Sequence, residues 1–178
     1  MQIRRIVTGH DAKGNSIFVS DGAAPRSVSF KHVPGLAAAL LWETRSGAAF
    51  APGDDPSLSA VSWVPENGAS SFMLVTFPPD SVMMSADFDP AAAGAEYAQL
   101  LPGLAEHFEP HNPGMHATDT VDYMVLLEGE LHLELDGGVT KKLVPLDLVV
   151  QNGTRHAWRN RSNSSATALF VLVGATRS

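Results

Sequence analysis

Alternation of apolar and polar residues organises the second half of the chain. Glu130-Leu-His-Leu-Glu-Leu135 alternates strictly. A strand turns successive side chains to opposite faces, so Leu131, Leu133 and Leu135 are expected to face a core while Glu130, His132 and Glu134 face water. Further strands are predicted over 121–127, 141–144, 146–151 and 166–173, punctuated by Glu128-Gly129 and Asp136-Gly137-Gly138. Short strands at even spacing between turn residues indicate a β-sandwich or barrel.

The first half is less regular. Residues 3–8 and 16–20 read as a hairpin across the turn-forming Asp11-Ala-Lys-Gly14-Asn15, and 21–25 as turn or loop. The run 36–43 fits helix or strand by composition, and strand by its neighbours. Gly, Ala, Pro, Asp and Ser dominate 46–59, an expected exposed loop, and 61–64 reads as a short strand segment. Ser-Phe-Met-Leu-Val-Thr-Phe over 71–77 is a buried strand stopped by Pro78-Pro79. Asp89-Pro90 then supplies an N-cap and a first-turn proline for a helix over 91–101. Tyr97, Leu100, Leu101 and Leu104 give that helix one apolar stripe, and Pro102-Gly103 breaks it. Met83, Met84, Phe72 and Phe77 are expected in the core.

Composition narrows the function classes. A chain of 178 residues with 44% hydrophobic and 17% charged residues can bury a sizeable core. Its formal charge of −7 disfavours nucleic acid and anionic membranes, both of which need a basic face. Cysteine is absent, which removes disulfides and thiolate metal sites and fits a reducing compartment. No secretory h-region and no apolar run of spanning length is present, so a cytoplasmic protein without a membrane partner is expected.

The candidate chemistry lies between Gly114 and Asn160. If the chain is extended after His116, then His116, Thr118, Thr120 and Asp122 share one face, with Asp119, Val121 and Tyr123 on the other. His156 follows the strand that ends near Gln151. Two imidazoles and a carboxylate form a donor set that divalent Fe, Mn, Ni or Zn accepts, with positions left open for substrate.

These residues resemble the two motifs of the cupin superfamily, specifically its small single-domain members. The first motif matches through His116, Asp122 at the glutamate position, and Gly129 after six further residues. The second matches through Gly153, His156 and Asn160. The resemblance covers about 110–173 and implies an all-β, single cupin-type β-barrel or jelly roll. It carries an N-terminal strand extension and one short helix near 90–101. On this reading 1–178 is a single domain, with 1–109 contributing strands, loop and helix and 110–173 the motif core. Pairing of such barrels through their N-terminal strands implies a homodimer.

Three positions depart from the pattern. Thr118 stands at the second histidine, Asp122 at the glutamate and Gln151 at the proline. The implied metal set is therefore His116, Asp122 and His156, with His107 or His111 as replacement donors from the preceding loop. Asp122 and His156 are the candidate catalytic groups. Thr118, Tyr123, Trp158 and Arg155 are the candidate pocket residues, although Tyr123 by alternation packs opposite Asp122. The implied activity is metal-assisted chemistry on a small acidic or phenolic molecule: decarboxylation, dehydration, isomerisation or oxygenation. Two alternatives stand beside it. One is a metal-free barrel using Asp122 and His156 as an acid–base pair. The other is a non-catalytic small-molecule binding module.

Overall fold

The computed structural model describes residues 3–49 and 55–177. An N-terminal hairpin joins β1 (Arg4–His10) to β2 (Ser16–Ala23). Next come β3 (Arg26–Ser29), β4 (Ala37–Thr44), a one-turn helix α1 (Pro56–Ser59) and β5 (Ser70–Phe77). Helix α2 (Pro90–Leu100) precedes the second half, which is β throughout. It comprises β6 (Thr120–Glu128), β7 (Leu131–Glu134), β8 (Thr140–Leu143), β9 (Leu148–Asn152), β10 (Ala157–Arg159) and β11 (Ala166–Gly174).

The strands form a six-stranded sheet in the order β3-β4-β5-β11-β6-β9, a three-stranded sheet β10-β7-β8, and the separate hairpin. Every paired strand is antiparallel. The two main sheets enclose a core that includes Leu40, Met73, Met124, Leu126, Leu131 and Phe170, with Trp63 from the α1–β5 connection. This is the mainly-β barrel or jelly roll expected from the strand pattern. Gly129 makes the tight passage from β6 to β7 at φ 81°. A Cβ there would lie 2.6 Å from the Ser165 carbonyl oxygen, so only glycine fits.

Helix α2 begins as the sequence dictates, with the Asp89 carboxylate accepting from the Ala91 and Ala92 amides. Its residues Ala93, Tyr97 and Leu100, followed by Leu101 and Leu104, pack on the main core. The helix therefore closes over the barrel and brings the following loop to the site.

Several local expectations are corrected. Residues 61–64 form no strand, because Trp63 leaves the sheet direction to fill the core and is fully buried. Strand β2 continues through Ala23, and β3 occupies a stretch too short to announce itself in the sequence. The 46–59 segment contains α1, capped by the Asp55 carboxylate. Its positions 50–54 lie outside the described residues. Glu130, His132 and Glu134 are half-buried rather than water-facing: Lys142 pairs with Glu130, and Arg159 pairs with Glu134 at 2.7 Å. Met83, Met84 and Phe72 stand on the surface instead of in the core.

Candidate functional site

His116 and His156 face each other across a backbone pair. Each amide donates to the other's carbonyl at 2.9 Å, so the two histidines form a rung of antiparallel ladder outside the longer strands. Their ring centroids lie 4.3 Å apart. Phe108 pairs with His116 through a second bridge, and its ring centroid lies 4.8 Å from the imidazole. On the other side Trp158 meets His156 edge-on at 5.5 Å. The contacts continue outward into one row of rings, Phe30–Tyr97–Phe108–His116–His156–Trp158–Phe170–Phe77. Two imidazoles thus sit in the middle of an otherwise aromatic row of buried and half-buried rings.

The surroundings fix their protonation. His116 Nδ1 lies 3.0 Å from the Gly114 carbonyl, and His156 Nδ1 lies 3.0 Å from the Thr154 carbonyl. A carbonyl only accepts, so in both rings Nδ1 carries the proton and Nε2 keeps its lone pair. Burial, reinforced by the neighbouring His156, lowers His116 from 6.5 to about 4, with the Gly114 carbonyl partly opposing and His107 adding a smaller push. Burial also lowers His156, against the opposing Thr154 contact. Both rings are therefore neutral donors at pH 7.

Asp122 is placed differently. It faces inward on β6, as does Thr120, whose hydroxyl meets that of the buried Thr118, just before the strand, at 2.7 Å. Its Oδ1 is buried and has no hydrogen-bond partner among the described residues. Burial raises its carboxyl from 3.8 to about 6, opposed by the Thr120 hydroxyl. Among the described residues, no three His, Asp or Glu side chains come together as a metal-holding group. The structure pairs the histidines and leaves Asp122 further along the same inward face.

The pocket candidates separate. Thr118 is buried beside the first motif, and Trp158 walls the histidine pair. Tyr123 stands on the outer face, 53% exposed, which removes it from the interior. Arg155 is held by both Glu109 carboxylate oxygens and by Asp136 at 2.7 Å, so it is committed to ion pairs. It lines a surface cavity of about 290 Å³ with His111, Glu134 and Arg159, which neither His116 nor His156 reaches. His107 is exposed at the loop next to Phe108.

Two further residues brace the motif segments, Arg177 by joining them and Asn160 by tying the second to the end of β5. Arg177 donates to the Thr118 carbonyl at 3.1 Å and to the Gly153 carbonyl at 3.0 Å, and it pairs with Asp119. Asn160 bonds the Phe77 and Ser164 carbonyls and receives the Ser162 hydroxyl. Asn160 carries a motif signal. Arg177 carries none, because its partners, the Asp119 carboxylate and two backbone carbonyls, are far away in sequence.

An antiparallel barrel with two histidine-bearing segments on adjoining backbone is the arrangement that the resemblance to cupins implies. No family model matches the chain. Oryzines biosynthesis cluster protein J of Aspergillus oryzae is 39% identical over 87 residues, 48% of this chain and 45% of that protein. Phomopsin biosynthesis cluster protein D of Diaporthe leptostromiformis is 45% identical over 62 residues, 34% of this chain and 33% of that protein. These matches span less than half the length of either relative. The cupin-domain-containing oxidoreductase srdB of Neurospora crassa is 26% identical over 171 residues, 95% of this chain and 72% of that protein. Among the described residues, no helix is long and apolar enough to cross a membrane.

Proposed function

We propose that this protein is a metal-assisted cupin enzyme acting on a small acidic or phenolic organic molecule. The observation that carries the reading is the pair of neutral imidazoles, each anchored through Nδ1–H on a carbonyl, which leaves each Nε2 with its lone pair. Metal-ligating histidines use the same arrangement, in which an outer hydrogen bond fixes the tautomer and leaves the other nitrogen free. His116 and His156 would supply two nitrogen donors toward a divalent Fe, Mn, Ni or Zn ion. Such an ion, when bound, supplies Lewis-acid polarisation of a substrate carboxylate or phenolate oxygen.

The protein's own groups do the rest. Asp122, lifted to about 6 by burial, gives or takes a proton near neutral pH. Trp158 and Phe108 wall the imidazoles and exclude water from their faces. The metal-free acid–base alternative needs Asp122 to orient His156. His156 is instead oriented by Thr154, which favours the metal reading. The oxidoreductase name of the Neurospora relative adds redox chemistry to the reaction classes.

Elemental analysis of untagged protein, reconstituted with each ion in turn, tests this. Near-stoichiometric metal in the wild type and its loss in His156→Ala, with an unchanged circular dichroism spectrum, is the expected result. An absence of metal in both proteins after reconstitution would overturn it.

The reading also comprises a single domain and a cytoplasmic homodimer. The lack of cysteine supports the compartment. Support for the dimer is the apolar surface on β2 (Phe18, 76% exposed) and on the edge strand β9 (Leu148 78%, Val150 65%). Sedimentation at micromolar concentration should show a dimer that Val150→Lys weakens. A monomeric wild type would remove this part of the proposal.

A further inference from the structure

Gln151 is the penultimate residue of β9 and lies in register with Asp122 on β6. It is a buried polar side chain with a defined task. Its amide nitrogen donates to the Thr154 carbonyl at 3.1 Å and also contacts the Thr154 hydroxyl. That same carbonyl accepts Nδ1–H of His156 at 3.0 Å. A carbonyl oxygen has two lone pairs, and here one is held by the sheet and the other meets the imidazole.

The turn between β9 and β10 has little else to fix this peptide. Gly153 sits at φ 61°, and its carbonyl is held separately by Arg177. The Thr154 side chain is exposed. If the amide of Gln151 were absent, the 154–155 peptide could rotate and take its carbonyl away from His156. The imidazole would then be free to carry its proton on either nitrogen.

We propose that Gln151 is a positioning residue for His156. Through the Thr154 carbonyl it selects the Nδ1–H tautomer and so keeps the Nε2 lone pair directed away from the turn. The role of that lone pair as a metal donor rests on the function proposed above, whereas the tautomer selection does not.

The test is imidazole ¹⁵N NMR on metal-free protein, with His156 assigned by the loss of its signals in His156→Ala. In the wild type, His116 and His156 should both show a single Nδ1–H tautomer. Gln151→Met keeps side-chain length and removes the donor. It should turn His156 into a tautomer mixture while His116, anchored on Gly114, stays unchanged and reports an intact fold. Gln151→Asn, which retracts the amide by one methylene, should act in the same direction and serves if the Met variant does not fold. Thr154→Val keeps the carbonyl and should leave His156 as in the wild type. A His156 that remains entirely Nδ1–H in the Gln151 variants would overturn the proposal.

Cobalt(II) titration provides the second readout, with affinity expected to fall about tenfold or more in Gln151→Met, the usual effect of losing an outer-shell partner. If no variant and no wild type binds cobalt, the metal reading fails while the tautomer comparison still decides the role of Gln151.

Discussion

Asp122→Asn is expected to make the stability of the metal-free protein rise more steeply with pH between 4 and 6.5 than that of the wild type. Two buried groups with opposite signs explain this. Asp122 is raised from 3.8 to about 6, so between those values the folded state holds more protons than the unfolded state. Its contribution is present at low pH and is lost as pH rises through 6. His116 is lowered from 6.5 to about 4, so in the same window the unfolded state holds more protons. Its contribution is present above 6.5 and is lost as pH falls toward 4. Shifts of this size correspond to roughly 3 kcal/mol each, so Asp122 offsets His116 in the wild type, while His156, also lowered by burial, adds a contribution of the same sign as His116. Removing the carboxyl leaves the histidine slope exposed, and His116→Gln should shift the profile in the opposite direction, with His156 still opposing Asp122. Denaturant midpoints of the three proteins, measured with chelator across this range, decide the matter. Parallel pH profiles would show that these groups are not buried in their costly forms.

The second large effect is expected at Trp63. It is fully buried in the main core, its ring lies 5.4 Å from the Arg26 guanidinium, and its amide donates to the Pro102 carbonyl. Trp63→Ala should cost about 3–5 kcal/mol, as removal of a large buried aromatic does. Yet the indole Nε1–H is buried with no acceptor among the described residues. An unsatisfied buried donor costs roughly 1–3 kcal/mol by itself. Trp63→Phe removes that donor together with part of the volume, so the two changes offset, and a loss of less than half that of the alanine variant is expected. Equal losses in urea titrations would show that the indole nitrogen is hydrated after all.

Much of the barrel is legible in the sequence because its strands carry period-two patterns long enough to read. Strands β6, β9 and β11 and the capped helix α2 all fall where alternation and the Asp89-Pro90 pair predict them. The short strands β3 and β10 are not legible, since three or four residues cannot establish a period. Residues 61–64 mislead because a buried Trp63 looks the same in sequence whether it lies in a strand or a loop.

The site is legible in part. His116 and His156 are drawn together by motif spacing, and the backbone ladder that joins them follows. Same-face alternation overreaches at Asp122. Six positions of extended chain span up to roughly 20 Å, so a shared face is not a shared point. Arg155 reads as a free cation because Glu109 and Asp136 are 46 and 19 residues away in sequence. Gln151 shows in the sequence only as the wrong residue for a proline. Its task depends on the turn that follows, which no pattern reveals.

The ladder rung between His116 and His156 has an energetic consequence. Side chains on two separate loops would have to be brought to a common spacing by whatever they bind, and part of the binding energy would go into that ordering. Here the reciprocal amide–carbonyl bonds set the separation of the rings during folding. The conformational entropy of assembling the pair is already spent when a ligand arrives. An occupant of this site therefore finds a preorganised two-nitrogen seat, and its affinity reports the bonds it makes rather than the order it imposes.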